Sequence, residues 1–326
     1  MKNKTAALLA AVLALALCAT GCQSGTPAEA EPQEPAQEAE ADVSQTEAPE
    51  EAAEEPAGEE KAQDGDALIL VVSFGTSYND SRDITIGAVE DSIADAFPDY
   101  PVRRAFTAQI IIDKLAERDN LEIDNVTQAL DRAAADGFRT LIVQPTHLMN
   151  GLEYEDLVNE LAEYESDFDK IILGEPLLTA DTDYEAVIKA ITEDTKDYDD
   201  GDTAIVYMGH GTEAESNQVY GTMQEKLKEA GYTNYYIGTV EAEPTLEDVV
   251  SALKEGGSYK KVVLQPLMVV AGDHANNDMA GEEEDSWKTV LEQEGYEVET
   301  RLVGLGELQA IRDIYVEHTQ ASVDSL

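Results

Sequence analysis

Residues 260–288 have the sequence KKVVLQPLMVVAGDHANNDMAGEEEDSWK. The apolar, β-branched run over 262–270 lies between two lysines and a glycine, which predicts a strand buried on both faces of a parallel sheet. Ligands of open α/β sheets bind beyond the carboxyl ends of the strands. The following loop, in which His274 lies among carboxylate and amide side chains, is therefore a candidate for metal or proton chemistry. The same loop also fits an Asp- and Asn-rich cap of the next helix.

The same kind of pattern extends through the chain from residue 67 onward. Short apolar strands alternate with amphipathic segments, which is typical of a parallel sheet covered by helices. In the first half, helices are predicted over 84–97, 107–118, 124–136, 153–165 and 183–195.

Segments of the first half are echoed, in the same order, in the second half. ALILVVSFGT (67–76) resembles TAIVYMGHGT (203–212), and IVQPTHLMNG (142–151) resembles VLQPLMVVAG (263–272). Independent strands can look alike by chance, but a shared Gln-Pro after a β-branched run argues for an internal duplication.

The duplication predicts an α/β fold of two similar, Rossmann-like lobes with parallel sheets, over residues 67–198 and 199–326. Each lobe has about 130 residues, an ordinary domain size. Because the carboxyl ends of the strands in two such lobes can face one another, we expect the active site in the cleft between them.

Residues 1–66 have a different composition. Residues 1–22 have two lysines, then the apolar run AALLAAVLALAL, which is too short to span a membrane and is typical of a secretory signal. The run ends in ATGC, which is similar to a bacterial lipoprotein processing site, so we predict that Cys22 is lipidated; ordinary signal cleavage is the alternative. Residues 23–66 are rich in Glu, Ala and Pro, which predicts a disordered acidic tether. We therefore expect an exported lipoprotein that is attached to the membrane by its lipid alone.

The chain has 326 residues, a formal net charge of −48 at pH 7 and two cysteines. This charge argues against a nucleic-acid partner. Because Cys18 and Cys22 precede the predicted lobes, a metal ion there must be bound by His, Asp, Glu or backbone oxygen. The sequence has no Gly-rich phosphate-binding motif, so we expect no nucleotide cofactor. A homo-oligomer is compatible with the sequence.

Three polar side chains of the second half, His210, Glu241 and His274, each follow a separate predicted strand. Since the carboxyl ends of parallel strands lie at one edge of a sheet, the three can converge. The first half has Phe74 in place of His210, and Thr107 aligns with Glu241. Two imidazoles and one carboxylate leave room for exogenous ligands, as in catalytic metal sites, and suit divalent Co, Fe, Ni or Zn.

Each of these side chains also has a simpler explanation. His210 can be a strand-end histidine that is hydrogen-bonded to backbone. Glu241, three residues before Pro244, can favour the start of the next helix through its dipole. His147, in QPTHLMNG, either faces a ligand or is structural. The joint placement of three side chains at strand ends favours a site.

Several separated motifs resemble those of the anaerobic-pathway sirohydrochlorin cobaltochelatases, which are similar in fold to the class II ferrochelatases. The resemblance extends from about residue 67 to the end of the chain. It implies a chelatase that inserts Co²⁺, or Fe²⁺, into a tetrapyrrole in anaerobic cobalamin biosynthesis. The motifs are VVSFGTS (71–77), RAFTAQIIIDKL (104–115), MGHG (208–211), Val240-Glu241, and PLMVVAGDHANNDM (266–279) followed by DSWK.

The resemblance also implies residue roles. His210, Glu241 and His274 would bind the metal ion, and His210 would accept pyrrole protons with help from Glu241. The tetrapyrrole would contact Ser73, Phe74, Gly75, Thr76 and His147. Because export would separate the protein from a cytoplasmic tetrapyrrole supply, the alternative is an exported lipoprotein that captures metal or haem and delivers it without turnover.

Overall fold

The computed structural model describes residues 67–326. The predicted signal peptide, Cys22 and the tether lie outside this part of the chain. The first half forms a parallel four-stranded sheet in the order β2-β1-β3-β4. Its strands are β1 (Ala67–Ser73), β2 (Val102–Phe106), β3 (Thr140–Pro145) and β4 (Lys170–Leu173).

The second half repeats this arrangement in a parallel sheet of order β6-β5-β7-β8. Val72 pairs with Pro145 in the first sheet, and Met208 pairs with Pro266 in the second. Equal strand order and equal register confirm the predicted α/β class with two Rossmann-like lobes; the lobe boundary at 198/199 stays a prediction. The strands are β5 (Thr203–Gly209), β6 (Tyr235–Thr239), β7 (Lys261–Pro266) and β8 (Glu297–Thr300).

Helices cover the sheets, and none in the described range is long and apolar enough to cross a membrane. Three of them begin at side-chain caps, in which Asn125 accepts from the backbone N–H of Gln128, Thr245 from that of Asp248 and Ser286 from that of Thr289. The helices are α1 (Asn79–Arg82), α2 (Ala88–Ala96), α3 (Gln109–Asp119), α4 (Val126–Ala135), α5 (Leu152–Glu163), α6 (Asp181–Asp194), α7 (Gln218–Glu229), α8 (Leu246–Gly256), α9 (Trp287–Gln293) and α10 (Gln309–Asp324). The π-helical segments are Asp83–Gly87 and Ala275–Met279, and the 3₁₀ segments are Lys196–Tyr198, Glu215–Asn217 and Leu305–Glu307.

The central strands β1, β3, β5 and β7 are buried on both faces, as the apolar runs predict, whereas the edge strands β4 and β8 are only partly buried. In β1, Ile69 and Val71 belong to one apolar cluster, whereas Leu68, Leu70 and Val72 belong to another. Alternate side chains of a strand point to opposite faces of the sheet, so a strand with helices on both sides needs apolar residues at every position.

The last helix of each half contacts the sheet of the other half. The Tyr207 hydroxyl, on β5, donates a hydrogen bond to the Ile191 carbonyl of α6 (3.3 Å). The Tyr315 hydroxyl, on α10, donates to the carbonyl of Thr146, directly after β3 (2.9 Å). Each half therefore contributes its last helix to the sheet of the other half, and these two helices hold the lobes together.

The strand predicted over 262–270 ends at Pro266. Beyond it, the Met268 and Val269 carbonyls accept hydrogen bonds from the backbone of residues 305–306 (2.9 and 3.0 Å). The apolar run therefore leaves the sheet, and its later part forms a wall of the cleft. Hydropathy alone cannot show this change, because both environments are apolar.

Candidate active site

The structure brings together the three strand-end side chains of the second half. His210 directly follows β5, Glu241 lies two residues after β6, and His274 immediately precedes the second π-helical segment. Potential ligand atoms of the three side chains all lie within 4.8 Å of one another. This separation suits three ligands of one divalent ion.

Glycines on both sides hold His210 in place. A Cβ on Gly209 would lie 2.2 Å from the Tyr220 ring, and a Cβ on Gly211 would lie 2.8 Å from the Ala242 nitrogen. Gly211 also has a φ of +88°, which favours glycine. The chain therefore bends closely around His210, and the His210 carbonyl accepts a hydrogen bond from the Glu241 N–H (2.9 Å).

One ring nitrogen of His210 is engaged by backbone. Nδ1 lies 2.8 Å from the Gly211 carbonyl oxygen, and since a carbonyl can only accept, Nδ1 carries the proton. Nε2 is left for a metal ion or a proton. The simpler explanation, a strand-end histidine that is hydrogen-bonded to backbone, is thus correct for Nδ1. It leaves Nε2 available.

His274 is oriented by a carboxylate. Its Nδ1 lies 2.7 Å from Asp278 Oδ2, one helical turn away. A carboxylate that accepts from Nδ1 fixes the ring and leaves Nε2 for a metal ion. Asp278 was not predicted as a partner, although its four-residue spacing from His274 could have indicated it.

A cavity of about 540 Å³ lies in the cleft and reaches the same three side chains. All five predicted substrate-binding residues, Ser73, Phe74, Gly75, Thr76 and His147, line it.

These five residues differ in what they offer to the cavity. Ser73 and Thr76 are buried, and the Ser73 hydroxyl accepts a hydrogen bond from the Thr146 hydroxyl (2.7 Å). Phe74 is 48% exposed, which is unusual for an aromatic side chain. Gly75 has a φ of +100°, and a Cβ there would lie 2.6 Å from the Phe106 ring. The turn that presents Phe74 therefore requires glycine.

His147 differs from the other histidines. Both of its ring nitrogens are shielded from water, and neither has a hydrogen-bond partner within residues 67–326. Burial lowers the pKa of His147 to about 4, so the ring is neutral at pH 7. The backbone around it is fixed, because the His147 carbonyl accepts from the Leu177 N–H (2.9 Å).

A sequence profile of the family described as Cobalt chelatase (CbiK) matches residues 67–324. The chain belongs to this family. The membership confirms the family predicted from the motifs and makes the protein an enzyme of the metal chelatase class.

Curated relatives agree with the CbiK assignment. The chain is 37% identical over 256 residues to a sirohydrochlorin cobaltochelatase of Salmonella typhimurium strain LT2, with 78% of this chain and 96% of the relative covered. It is 33% identical over 260 residues to sirohydrochlorin cobaltochelatase CbiKC of Nitratidesulfovibrio vulgaris strain Hildenborough, with 79% and 91% covered. Both relatives are thus matched over nearly their whole length.

Among solved structures, the chain is similar to SirB from Bacillus subtilis with Fe³⁺. The TM-score is 0.56 at 13% identity, and the similarity covers 80% of this chain and 97% of SirB. At this identity the likeness concerns the fold alone, and it agrees with the two-lobed architecture of this CbiK chelatase.

The register of the duplicated sheets corrects one alignment. The Ala108 N–H donates to the Phe74 carbonyl (3.2 Å), just as the Glu241 N–H donates to the His210 carbonyl (2.9 Å). Ala108, and not Thr107, therefore occupies the place of Glu241, and the prediction was wrong by one residue. Phe74 does occupy the place of His210. In this CbiK chelatase only the second lobe supplies the three clustered side chains.

The two lobes also meet at the edge of the cavity. The Tyr78 hydroxyl donates to Asp273 Oδ1 (3.3 Å), and the Ala271 N–H donates to the Ser81 hydroxyl (3.1 Å). Burial, and then the Asp273 charge, raise the pKa of Tyr78, so its hydroxyl stays protonated and can donate. No sequence pattern indicated this contact.

The cavity has an acidic lining. Among the described residues that line it, there is no Lys or Arg. Its carboxylates are Glu153, Glu213, Glu241 and Asp273. This charge favours the entry of a divalent cation and disfavours an anion deep inside.

Proposed function

We propose that this protein inserts Co²⁺, and as a second ion Fe²⁺, into sirohydrochlorin in anaerobic cobalamin biosynthesis. The observation that carries the proposal is the cluster of His210, Glu241 and His274 at the wall of a cavity between two lobes. The names of the two curated relatives support the choice of ion and tetrapyrrole.

The metal ion is a substrate and is bound only for a time. Nε2 of His210, Nε2 of His274 and a carboxylate oxygen of Glu241 would bind it, with the remaining positions filled by water. Nitrogen and oxygen donors suit ions such as Co²⁺ and Fe²⁺. Glu241 offsets part of the ionic charge, and its side chain, which is 56% exposed, can move with the ion.

The tetrapyrrole would lie between the three ligands and the wall formed by residues 73–76. Phe74 offers an exposed aromatic face to a flat ring, and Gly75 has no side chain to obstruct it. The carboxylates of sirohydrochlorin would remain in water at the cavity opening, because the acidic lining offers them no cation. The cavity then recognises the ring rather than its substituents.

Insertion removes two N–H protons while four ring nitrogens replace water and protein ligands on the ion. His210 would accept a proton at Nε2 once the ion has left that atom, and Glu241 would relay it to water. Neutral imidazole suits this step because its ordinary pKa is close to working pH.

The test uses the full chain with sirohydrochlorin and Co²⁺, without added nucleotide. The absorbance change should exceed the spontaneous rate, and His210→Ala, Glu241→Gln and His274→Ala should each lose most of the acceleration. The control is His318→Gln, which removes an imidazole of α10 outside the cavity. Full activity in His210→Ala would disprove the assignment. Stoichiometric binding without turnover would instead support the capture-and-delivery alternative.

We also propose that the enzyme is exported and anchored through a lipid on Cys22, with residues 23–66 as tether. The support is the lipoprotein-like sequence around Cys22. In the native bacterium, Cys22→Ala should move the protein from the membrane fraction to a soluble fraction. An unchanged distribution would disprove the anchor.

A further inference from the structure

The hydrogen bond of His210 limits what this side chain can do during metal insertion. Nδ1 carries a proton in its bond to the Gly211 carbonyl, so Nε2 has the only available lone pair. While the metal ion occupies Nε2, His210 cannot accept a proton. A first pyrrole proton must therefore go elsewhere, or insertion must wait until the ion has left the imidazole.

Three of the four carboxylates that line the cavity are less suitable as proton acceptors. Glu213 and Asp273 are exposed, and Asp273 already accepts from the Tyr78 hydroxyl. Glu241 belongs to the proposed ligand set.

His147 lies in the same wall but comes from the first lobe. It follows β3, lines the cavity, and neither of its ring nitrogens has a partner in the described structure. A turn of the ring about its Cβ–Cγ bond exchanges nitrogen and carbon positions and breaks no hydrogen bond. An unpaired buried imidazole is costly for stability, which is consistent with a functional reason for keeping it.

We propose that His147 is a second proton acceptor of the cavity and takes the first pyrrole proton while the metal ion is still bound to His210. The inference rests on the proposed metal insertion. One N–H bond breaks, its electron pair stays on the pyrrole nitrogen and binds the ion, and the proton goes to a His147 ring nitrogen. The second proton goes to His210 after the ion has moved into the ring.

The environment of His147 suits a transient acceptor. Burial keeps the ring neutral, so a lone pair is available at pH 7. The charge of Glu153, which also lines the cavity, favours the protonated ring and opposes the effect of burial. A weak base passes its proton on readily, and a metal ion that binds a pyrrole nitrogen lowers the pKa of its N–H, which favours transfer to the ring of His147.

The experiment compares wild-type full chain with His147→Gln and His147→Leu, with His318→Gln as control. Three quantities are measured: the affinity for Co²⁺ alone, the affinity for metal-free sirohydrochlorin, and kcat and KM for insertion. Both His147 variants should lower kcat about 100-fold, a usual contribution of proton transfer, and leave the two affinities and KM unchanged. The control should keep wild-type values. Using two variants allows for one that fails to fold.

Other outcomes overturn the inference. Wild-type kcat in a folded His147 variant would show that the proton goes elsewhere and would leave the proposed chelatase function intact. A loss of sirohydrochlorin affinity equal to the loss of rate would assign His147 to recognition instead. If the wild-type chain does not accelerate insertion, the proposed function fails and the inference fails with it.

Discussion

The imidazole ring of His274 meets that of His210 edge to face, with ring centroids 4.7 Å apart and planes at 82°. Each ring uses Nδ1 in a hydrogen bond, His210 with the Gly211 carbonyl and His274 with Asp278. The same nitrogen, Nε2, thus remains on both rings. Groups that would not touch a metal ion therefore decide which atoms are available to bind it.

We expect Asp278→Ala to weaken Co²⁺ binding by about 10- to 100-fold, the usual effect of removing the partner of a ligating histidine. Asp278→Asn should weaken it less, because the amide oxygen can still accept from Nδ1 of His274. Titration of the metal-free chain with Co²⁺, followed by visible absorbance, measures both. Asp95→Ala, an exposed acid on α2, is the matched control. Unchanged affinity in Asp278→Ala would show that His274 needs no orienting carboxylate.

Replacing His147 by Gln should reduce the loss of stability in acid. The pKa of His147 is lowered from 6.5 to about 4 by burial. Between these values the unfolded chain binds a proton on this side chain and the folded chain does not, so the free energy of unfolding falls as pH decreases. At pH 4 this loss amounts to about 3 kcal/mol.

Denaturant unfolding at pH 7 and pH 4 tests this expectation. The difference between the two pH values should be about 3 kcal/mol smaller in His147→Gln than in wild type. Carboxylates also titrate in this range and contribute equally in both proteins. The effect of His147 is therefore the difference between wild type and His147→Gln. If the difference in unfolding free energy between pH 7 and pH 4 is the same in both proteins, the imidazole is not buried in the folded state.

Gly209→Ala should destabilise the fold and disturb the metal site together. The new Cβ would lie 2.2 Å from the Tyr220 ring, whose hydroxyl accepts from the Gly211 N–H (3.2 Å). Overpacking of this kind costs about 1–3 kcal/mol. Gly221→Ala in α7 is the control, because nothing lies within 4 Å of its Cβ position. That change should stabilise the helix by about 0.5–1 kcal/mol. Urea midpoints of the two variants should therefore shift in opposite directions.

Arg301→Met should destabilise the second lobe. Arg301 donates to Asp194 (2.7 Å) and to Gln265, and the charged side chains of the pair are only 18% and 19% exposed. Removing the guanidinium leaves a carboxylate and an amide oxygen without this donor, at a cost of about 2–3 kcal/mol.

An exposed ion pair provides the control for Arg301→Met. Lys196 and Glu193 are 59% and 70% exposed, so Lys196→Met should barely change the urea midpoint. Equal shifts in the two variants would show that burial does not govern the contribution of the Arg301 pair.

The sequence by itself determined the fold class, the duplication and the positions of the three clustered side chains. Apolar strands alternating with helical segments specify a parallel sheet, because burial on both faces requires apolar residues at every strand position. His210, Glu241 and His274 follow strands, and parallel strands end at one edge. Their convergence therefore follows from the local pattern.

Only the tertiary structure decided which groups are paired with one another. It gave Ala108, rather than Thr107, the place in the first lobe that Glu241 has in the second, ended β7 at Pro266, and exchanged the last helices of the two halves. It also left both ring nitrogens of His147 without a hydrogen-bond partner among residues 67–326. Periodicity reports only whether a residue is buried, whereas register and hydrogen-bond partners depend on segments that are distant in sequence and meet only when the chain folds.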